Sequence, residues 1–340
     1  MDLTIGVVGA TGGIGREILA VLHRTTWRPD RIVPVASPGT SVSFVEYGDK
    51  QIAVEELAHM DYPELDALIV AAPMEVGKQC VESAIKHGVP VIDCSGFLDG
   101  SEMGPLVIPW VNPEGLERVG EEAAVAVPSG VSVLLTTILG PLFRAGIRGE
   151  IQATAFVPAS SFGKAGMDEL SKQVVALFNS STPPRKTFEN GLAFDLLPIL
   201  GEANPEGWAP LEEECVRQVH KMFGEGIPLG VTCVGVPVFS GISANIHIRT
   251  VDKMDPQSIA RVLSEGGVKV GKDNSFRSVP RPRTVEGNPF VHAGRIRTDE
   301  TGTHLHLWVS MDNLKATATV AVGCCAALLR EEIEDSRSTE

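Results

Sequence analysis

The chain is 340 residues long, 43% hydrophobic and 21% charged, an ordinary globular composition on a length that favours two domains. A formal net charge of −14 excludes the broad basic face that nucleic-acid binding requires. The first residues lack the basic stretch of a signal peptide and no later run has the apolar length of a membrane span, so a soluble, cytoplasmic protein is expected.

Residues 3–8 form an apolar, strand-like run followed at once by glycines, and Ile14 to Leu22 carries apolar residues at helical spacing. Strands are predicted at Arg31–Ala36 and Asp66–Ala72, then an amphipathic helix at Met74–His87 with Gly88 at its C-cap, and a strand at Val89–Asp93. A helix-like segment at Pro113–Val119 and a short strand at Ala123–Val127 complete a βαβ series, which implies a parallel sheet.

After Pro128 the texture changes. Val131–Ala145 predicts a helix, Glu150–Pro158 a strand and Met167–Phe178 an amphipathic helix. Residues 179–210, rich in Pro, Asn and Gly, read as long surface connections. Strands return at Leu229–Phe239, Ala244–Thr250 and His304–Ser310, before a last helix at Leu314–Glu332 and a polar tail at Asp335–Glu340. The six cysteines, Cys80, Cys94, Cys215, Cys233, Cys324 and Cys325, form no Cys-x-x-Cys pair, so reduced thiols and no metal site are expected.

Gly9-Ala10-Thr11-Gly12-Gly13-Ile14-Gly15 sits between the first strand and the first helix. Glycines there permit a tight turn and let backbone N–H groups approach a pyrophosphate at the positive end of the helix. Gly9, Thr11, Gly12, Gly13 and Ile14 are therefore candidate dinucleotide-binding residues of a Rossmann-type domain, with Ser37 at the end of the second strand. That strand end, Val35-Ala36-Ser37-Pro38-Gly39, offers neither an acid for the ribose of NAD nor an arginine for the 2′-phosphate of NADP. The choice between NADP and NAD stays open, as does an inherited loop that holds no cofactor.

Six stretches in order carry a family resemblance: Val8–Gly12, Val91–Ser95, Val107–Asn112, Gly163–Leu170, Val234–Phe239 and Leu307–Leu314. Across nearly its whole length the chain resembles the aspartate-semialdehyde dehydrogenases. The resemblance implies an α/β fold with a Rossmann-type domain over residues 1–127, joined by the helix at 314–332. An α+β dimerisation domain with a mixed sheet would span 128–313, with NADP on the first domain and a homodimer made through the second. It also implies a chemistry in which a cysteine thiolate attacks an aldehyde and hydride passes to NADP. Phosphate then cleaves the thioester, a histidine moves protons, and arginines hold the substrate carboxylate and the phosphate.

The same resemblance assigns places to those groups. Val127-Pro128-Ser129-Gly130 corresponds to the family's Asn-Pro-Asn-Cys, which puts Gly130 where the nucleophile belongs. Val157 replaces a glutamine that positions the acyl group, Gly235 and Ile242 replace the substrate arginine and the catalytic histidine, and Leu98 replaces a phosphate-binding arginine. Five functions are absent together, so the family's reaction is expected to be lost. Ala159–Lys164 and Phe188–Asp195 resemble the Usg-type branch of the family.

Replacement chemistry has few candidates. Cys94, at the end of a parallel strand, and Ser129, beside the missing nucleophile, are the two alternative nucleophiles, against packing for the first and helix capping for the second. Ser132 also flanks the site. His247, His304 and His306 read as surface histidines, Lys164, Arg144 and Arg148 as a possible anion pocket or solvated charges, and Glu212-Glu213-Glu214 as an exposed first helical turn. Arg277, Arg281 and Arg283 read as a basic loop. The leading reading is a pseudoenzyme or functionally shifted paralogue that keeps dinucleotide binding and a homodimer. An active NAD(P)-dependent oxidoreductase on an aldehyde or acyl phosphate, using Cys94, is the alternative. An interaction protein with a vestigial glycine loop is the third.

Overall fold

The computed structural model describes residues 3–37, 42–101, 103–120, 123–273 and 275–330. The chain divides into two compact units, Met1–Ser129 with Thr317–Glu340, and Gly130–Ala316.

In the first unit β1 (Thr4–Val8) leads into α1 (Gly13–Arg24) and β2 (Arg31–Ala36). A hairpin of β3 (Phe44–Tyr47) and β4 (Lys50–Ala53) precedes a two-residue strand, β5 (Glu55–Glu56). Then come β6 (Ala67–Val70), α2 (Met74–Lys86), β7 (Val91–Asp93) and β8 (Ala124–Ala126). The sheet order is β5-β2-β1-β6-β7-β8, with every pair parallel. All residues of β1, β6, β7 and β8 are buried, as a parallel sheet covered on both faces demands. The chain turns one way from β1 to β2 and the other way to β6, so a crevice opens at the carboxyl ends of β1 and β6. The segment expected to be helical at Pro113–Val119 is a 3₁₀ helix, Pro113–Arg118.

The second unit begins with α3 (Gly130–Arg144), β9 (Glu150–Val157), α4 (Gly163–Phe178) and α5 (Pro210–Phe223). It continues with β10 (Leu229–Gly235), β11 (Ile242–Arg249), α6 (Pro256–Glu265), β12 (Lys269–Val270), α7 (Pro282–Val285), β13 (His292–Thr298) and β14 (His304–Met311). The order is β10-β9-β11-β14-β13-β12; β9 pairs with β10 and β12 with β13 in parallel, the rest antiparallel. The parallel sheet and the mixed sheet expected from the sequence are both present. α3, α5 and α6 pack on one face of this sheet. The other face leaves Thr154, Phe156, Asn245, His247, His306 and Trp308 half-buried, the period-two pattern of a one-sided sheet.

Residues 179–209 hold no helix or longer strand, and side chains of α4 secure them. The Glu169 carboxylate accepts the backbone N–H groups of Lys186, Thr187 and Phe188 at 2.7–3.0 Å. Gln173 Oε1 accepts those of Leu192 and Ala193 at 2.7 and 3.0 Å. Glu212 departs from the expected exposed turn: it is buried, and its carboxylate accepts the N–H groups of Ala209 and Cys233, both at 2.9 Å. The last helix, α8, runs Asn313–Leu328 where a helix over 314–332 was expected, and the end of that expectation and the polar tail, from 331 on, lie outside the described residues. Among the described residues no helix is long and apolar enough to cross a membrane.

Candidate functional site

The glycine loop occupies the crevice at the end of β1. Gly9 has φ +79°, and a Cβ on it would run into the Ala71 carbonyl. A Cβ on Gly15 would strike the Gly9 carbonyl and lie 2.7 Å from Ala10 Cα, so both glycines are required by close backbone packing. Gly12 N–H donates to the Gly9 carbonyl at 2.9 Å, and Arg16 Nε donates to the Thr11 carbonyl at 3.1 Å, which fixes the turn. The first intrahelical bond is from Arg16 N–H to the Gly12 carbonyl at 3.0 Å, so the N–H groups of Gly13, Ile14 and Gly15 stand ahead of it. No acidic residue lies in this first turn. Thr11, Gly12, Gly13 and Ile14 are part-exposed. Such a cradle fits a pyrophosphate.

Ser37 is exposed at the end of β2. Beside it the structure adds two carboxylates that the linear reading missed: β5 pairs Glu55 with Val35 and Glu56 with Ala36. A two-residue edge strand leaves no periodic signal, and only the pairing brings these acids to the β2 terminus.

Four of the five positions that the resemblance assigns to the family's reacting groups lie at one end of the second sheet. Gly235 and Val157 are paired partners at the ends of β10 and β9, and Ile242 opens β11 opposite Met311. Gly130 opens α3, and a Cβ on it would lie 3.0 Å from Ile242 Cδ1, 3.7 Å from Asn313 Cβ and 4.0 Å from Met311 Cε. A Cβ on Gly235 would lie 2.9 Å from Leu200 Cδ2 and 3.2 Å from Leu197 Cβ, so leucines occupy the space in front of it. The polar groups here are Ser160 and Asn313, whose side chains bond each other at 3.1–3.2 Å, while Asn313 Oδ1 also accepts the Gly241 N–H at 2.9 Å. Ser243 Oγ donates to Ser310 Oγ at 2.9 Å. Ile242 and Val157 are buried. None of these groups titrates near neutrality, so the cluster packs and hydrogen-bonds without an acid–base pair. Leu98, in the first unit, is also buried, and its N–H donates to Asp93 Oδ2 at 2.8 Å.

The thiols are held toward their neutral form. All six are free, and burial pushes Cys80 up to about 11 and Cys215 and Cys325 up to about 12, with Cys233 and Cys324 also raised. Burial, then the Asp93 carboxylate and Cys324, raise Cys94 well above the ordinary thiol range. That carboxylate already accepts Ser95 N–H at 2.7 Å and Ser95 Oγ–H at 2.6 Å. A thiol held neutral this way lacks the electropositive setting of reactive cysteines. Ser129 is part-exposed one residue before α3.

The remaining candidates separate. Arg148 sits over the Phe143 ring at 4.1 Å and lines a cavity with Glu150 and Arg249, whereas Lys164 is exposed at the start of α4 and does not line it. The three histidines come together: His247 stacks on His304 and His306 with centroids 5.1 and 4.6 Å apart, and its Nε2 lies 2.9 Å from His304 Nδ1. Among the described residues no group of three or more His, Cys, Asp or Glu could hold a metal ion.

Comparison with known proteins follows this division of the chain. Residues 4–119 match the model of the semialdehyde dehydrogenase NAD binding domain, and residues 139–316 match that of the semialdehyde dehydrogenase dimerisation domain. An aspartate-semialdehyde dehydrogenase of Rickettsia bellii is 30% identical over 93% of this chain and 94% of its own. A USG-1 protein homolog of Azotobacter vinelandii is 27% identical over 97% of this chain and 98% of its own. The crystal structure of aspartate semialdehyde dehydrogenase II from Vibrio cholerae, complexed with ASA, superposes with a TM-score of 0.90 at 28% identity, covering 97% of this chain and 99% of that one. The chain belongs to the aspartate-semialdehyde dehydrogenase family.

Proposed function

We propose that this protein is a dinucleotide-binding, homodimeric member of the family that does not oxidise aspartate semialdehyde. The observation that carries the reading is the proximity of the two positions that the resemblance assigns to the family's nucleophile and base: a Cβ on Gly130 would lie 3.0 Å from Ile242 Cδ1. The loss of side chains at Gly235, filled by Leu197 and Leu200, removes the carboxylate clamp from the same end of the sheet. The raised thiols support it further, because a thioester path needs a thiolate near neutral pH.

The loop Gly9, Thr11, Gly12, Gly13 and Ile14 would hold the pyrophosphate of NAD or NADP, with the adenosine ribose near Ser37 and Glu56. When bound, the nicotinamide supplies a hydride acceptor. The chain's own contribution there is binding and orientation. The dimerisation-domain match supports a homodimer. Calorimetric titration with NAD and NADP, followed by a phosphate-dependent aspartate-semialdehyde assay on the same sample, tests the reading: binding without turnover is expected. Cys94→Ser addresses the competing oxidoreductase. Any turnover that survives that change removes Cys94 as its nucleophile.

A further inference from the structure

The basic loop of residues 277–283 divides in the folded chain. Arg281 and Arg283 face a cavity of about 740 Å³ beside Pro237 and Phe239. Arg277 instead faces a smaller, polar cavity of about 200 Å³, together with Lys269, Ser278, Thr284 and His292. β12 and β13 bring two of these together, because Lys269 and His292 are paired partners on neighbouring parallel strands. The loop after β12 supplies Arg277 and Ser278.

His292 lines this cavity, and its Nε2 is buried with no hydrogen-bond partner among the described residues. A buried polar atom of this kind is costly unless something fills its hydrogen bond. Lys269 Nζ lies 4.3 Å from the centroid of the Phe290 ring, a contact that leaves its positive charge without a counter-ion among the described residues. Arg277 likewise has no ion pair there. The nearby carboxylate, Asp273, is held by hydrogen bonds from Ser275 and Ser278 that keep it ionised, down to about 2. Burial and then Lys269 hold His292 below its ordinary value.

We infer that this cavity is a binding site for a small phosphate group, free or as a phosphate monoester, separate from the glycine loop. Lys269, Arg277 and Ser278 on the lining supply charge and hydrogen-bond donors to the dianion, with the His292 ring beside it. Arginine presents planar donors matched to phosphate, and lysine a point charge. Because the bound anion favours the imidazolium, affinity rises as pH falls through the titration range of His292.

The test titrates the full-length protein with inorganic phosphate, and in a second arm with glycerol 3-phosphate, at low ionic strength. The His292 ring is followed by NMR and assigned with His292→Asn. The expected result is a saturable shift of the His292 signals and a rise of its titration midpoint by about one pH unit. Lys269→Gln and Arg277→Gln, both at exposed positions, should each weaken binding by about tenfold with an unchanged thermal midpoint. Tighter binding of glycerol 3-phosphate points to a phosphorylated metabolite, and tighter binding of phosphate to the free ion; either supports the site. Excess NAD should leave the response intact. Phosphate that moves no His292 signal, binds the two variants as it binds the unaltered protein, or is displaced by NAD would overturn the inference.

Discussion

A side chain added at Gly130 would meet first the flexible end of Ile242, and beyond it Asn313 and Met311. A cysteine and a histidine can therefore be introduced as a pair, Gly130→Cys with Ile242→His. The thiol would stand at the first residue of α3, where the helix dipole and an adjacent imidazole both favour the thiolate. Its alkylation by iodoacetamide should show a midpoint below about 7.5, within the range of activated cysteines. The six natural thiols should stay slow at that pH. A midpoint at or above about 8.5, the free-thiol value, would mean that the two positions do not form a nucleophile–base pair.

Glu169 illustrates a different role for a buried charge. Burial opposes its ionisation, but the N–H groups of Thr187, Phe188 and Lys186 outweigh that and hold the carboxyl below its ordinary value. Its folded pKa is depressed, so the stability it contributes is present above the unfolded value of roughly 4.3 and is lost as pH falls through the folded one. Glu169→Gln should cost about 2–3 kcal/mol by denaturant unfolding, the value of hydrogen bonds to a charged acceptor. Hydrogen exchange should quicken first at residues 186–188. No single-chain reading identifies this carboxylate, because its three donors lie 17–19 positions away in a segment with no periodicity.

Among the elements, those with a strong apolar period were legible in the sequence, and those set by pairing were not. β1, β6 and β9 stand where their apolar or alternating runs predicted. β5, β12 and β13 escaped notice, two being only two residues long and the third, His292–Thr298, carrying Arg295 at φ +51° and a register shift. β5 matters for the cofactor. Its Glu56 stands beside Ala36, and no Lys or Arg occurs between Ser37 and Phe44. A 2′-phosphate brought there meets like charge, so NAD should bind about tenfold or more tighter than NADP, and Glu55→Gln with Glu56→Gln should narrow the gap. Equal affinity in calorimetry would remove β5 from the site.

The histidine stack sets a second expectation for the sheet. Burial, then His306 and His304, lower His247; burial, then Arg297 and His304, lower His306. The unfolded chain protonates first, near the ordinary value of roughly 6.5, so these groups cost nothing above it and destabilise the fold as pH falls below it. The thermal midpoint should therefore drop between about pH 7 and 5, and His247→Gln should flatten that drop.

At the level of the assembly, the second unit leaves an apolar patch uncovered. Phe178 and Phe194 are 77% and 67% exposed and meet edge to face, with centroids 5.8 Å apart. Leu177 and Leu196 are exposed beside them in sequence, and Phe194 keeps φ +63°, a conformation that a bulky residue adopts rarely. A second copy seated there would bury the patch, in keeping with the dimerisation-domain match. Sedimentation should give a dimer at micromolar concentration. Phe178→Glu with Phe194→Glu should weaken the dimer by about 2 kcal/mol or more per aromatic anchor. A dimer that ignores both changes uses another surface.

The most direct measurement is the phosphate-dependent oxidation of aspartate semialdehyde by protein saturated with NAD or NADP. Family members that run this chemistry need a thiolate, a base and two anion clamps, and the proposed correspondence sets Gly130, Ile242, Gly235 and Leu98 at those places. Turnover should fall at least about ten-thousandfold below a typical enzyme rate of roughly 10 s⁻¹, while calorimetry still records cofactor binding. A rate near 10 s⁻¹ would mean that those four residues do not occupy the catalytic positions or that another thiol carries the reaction.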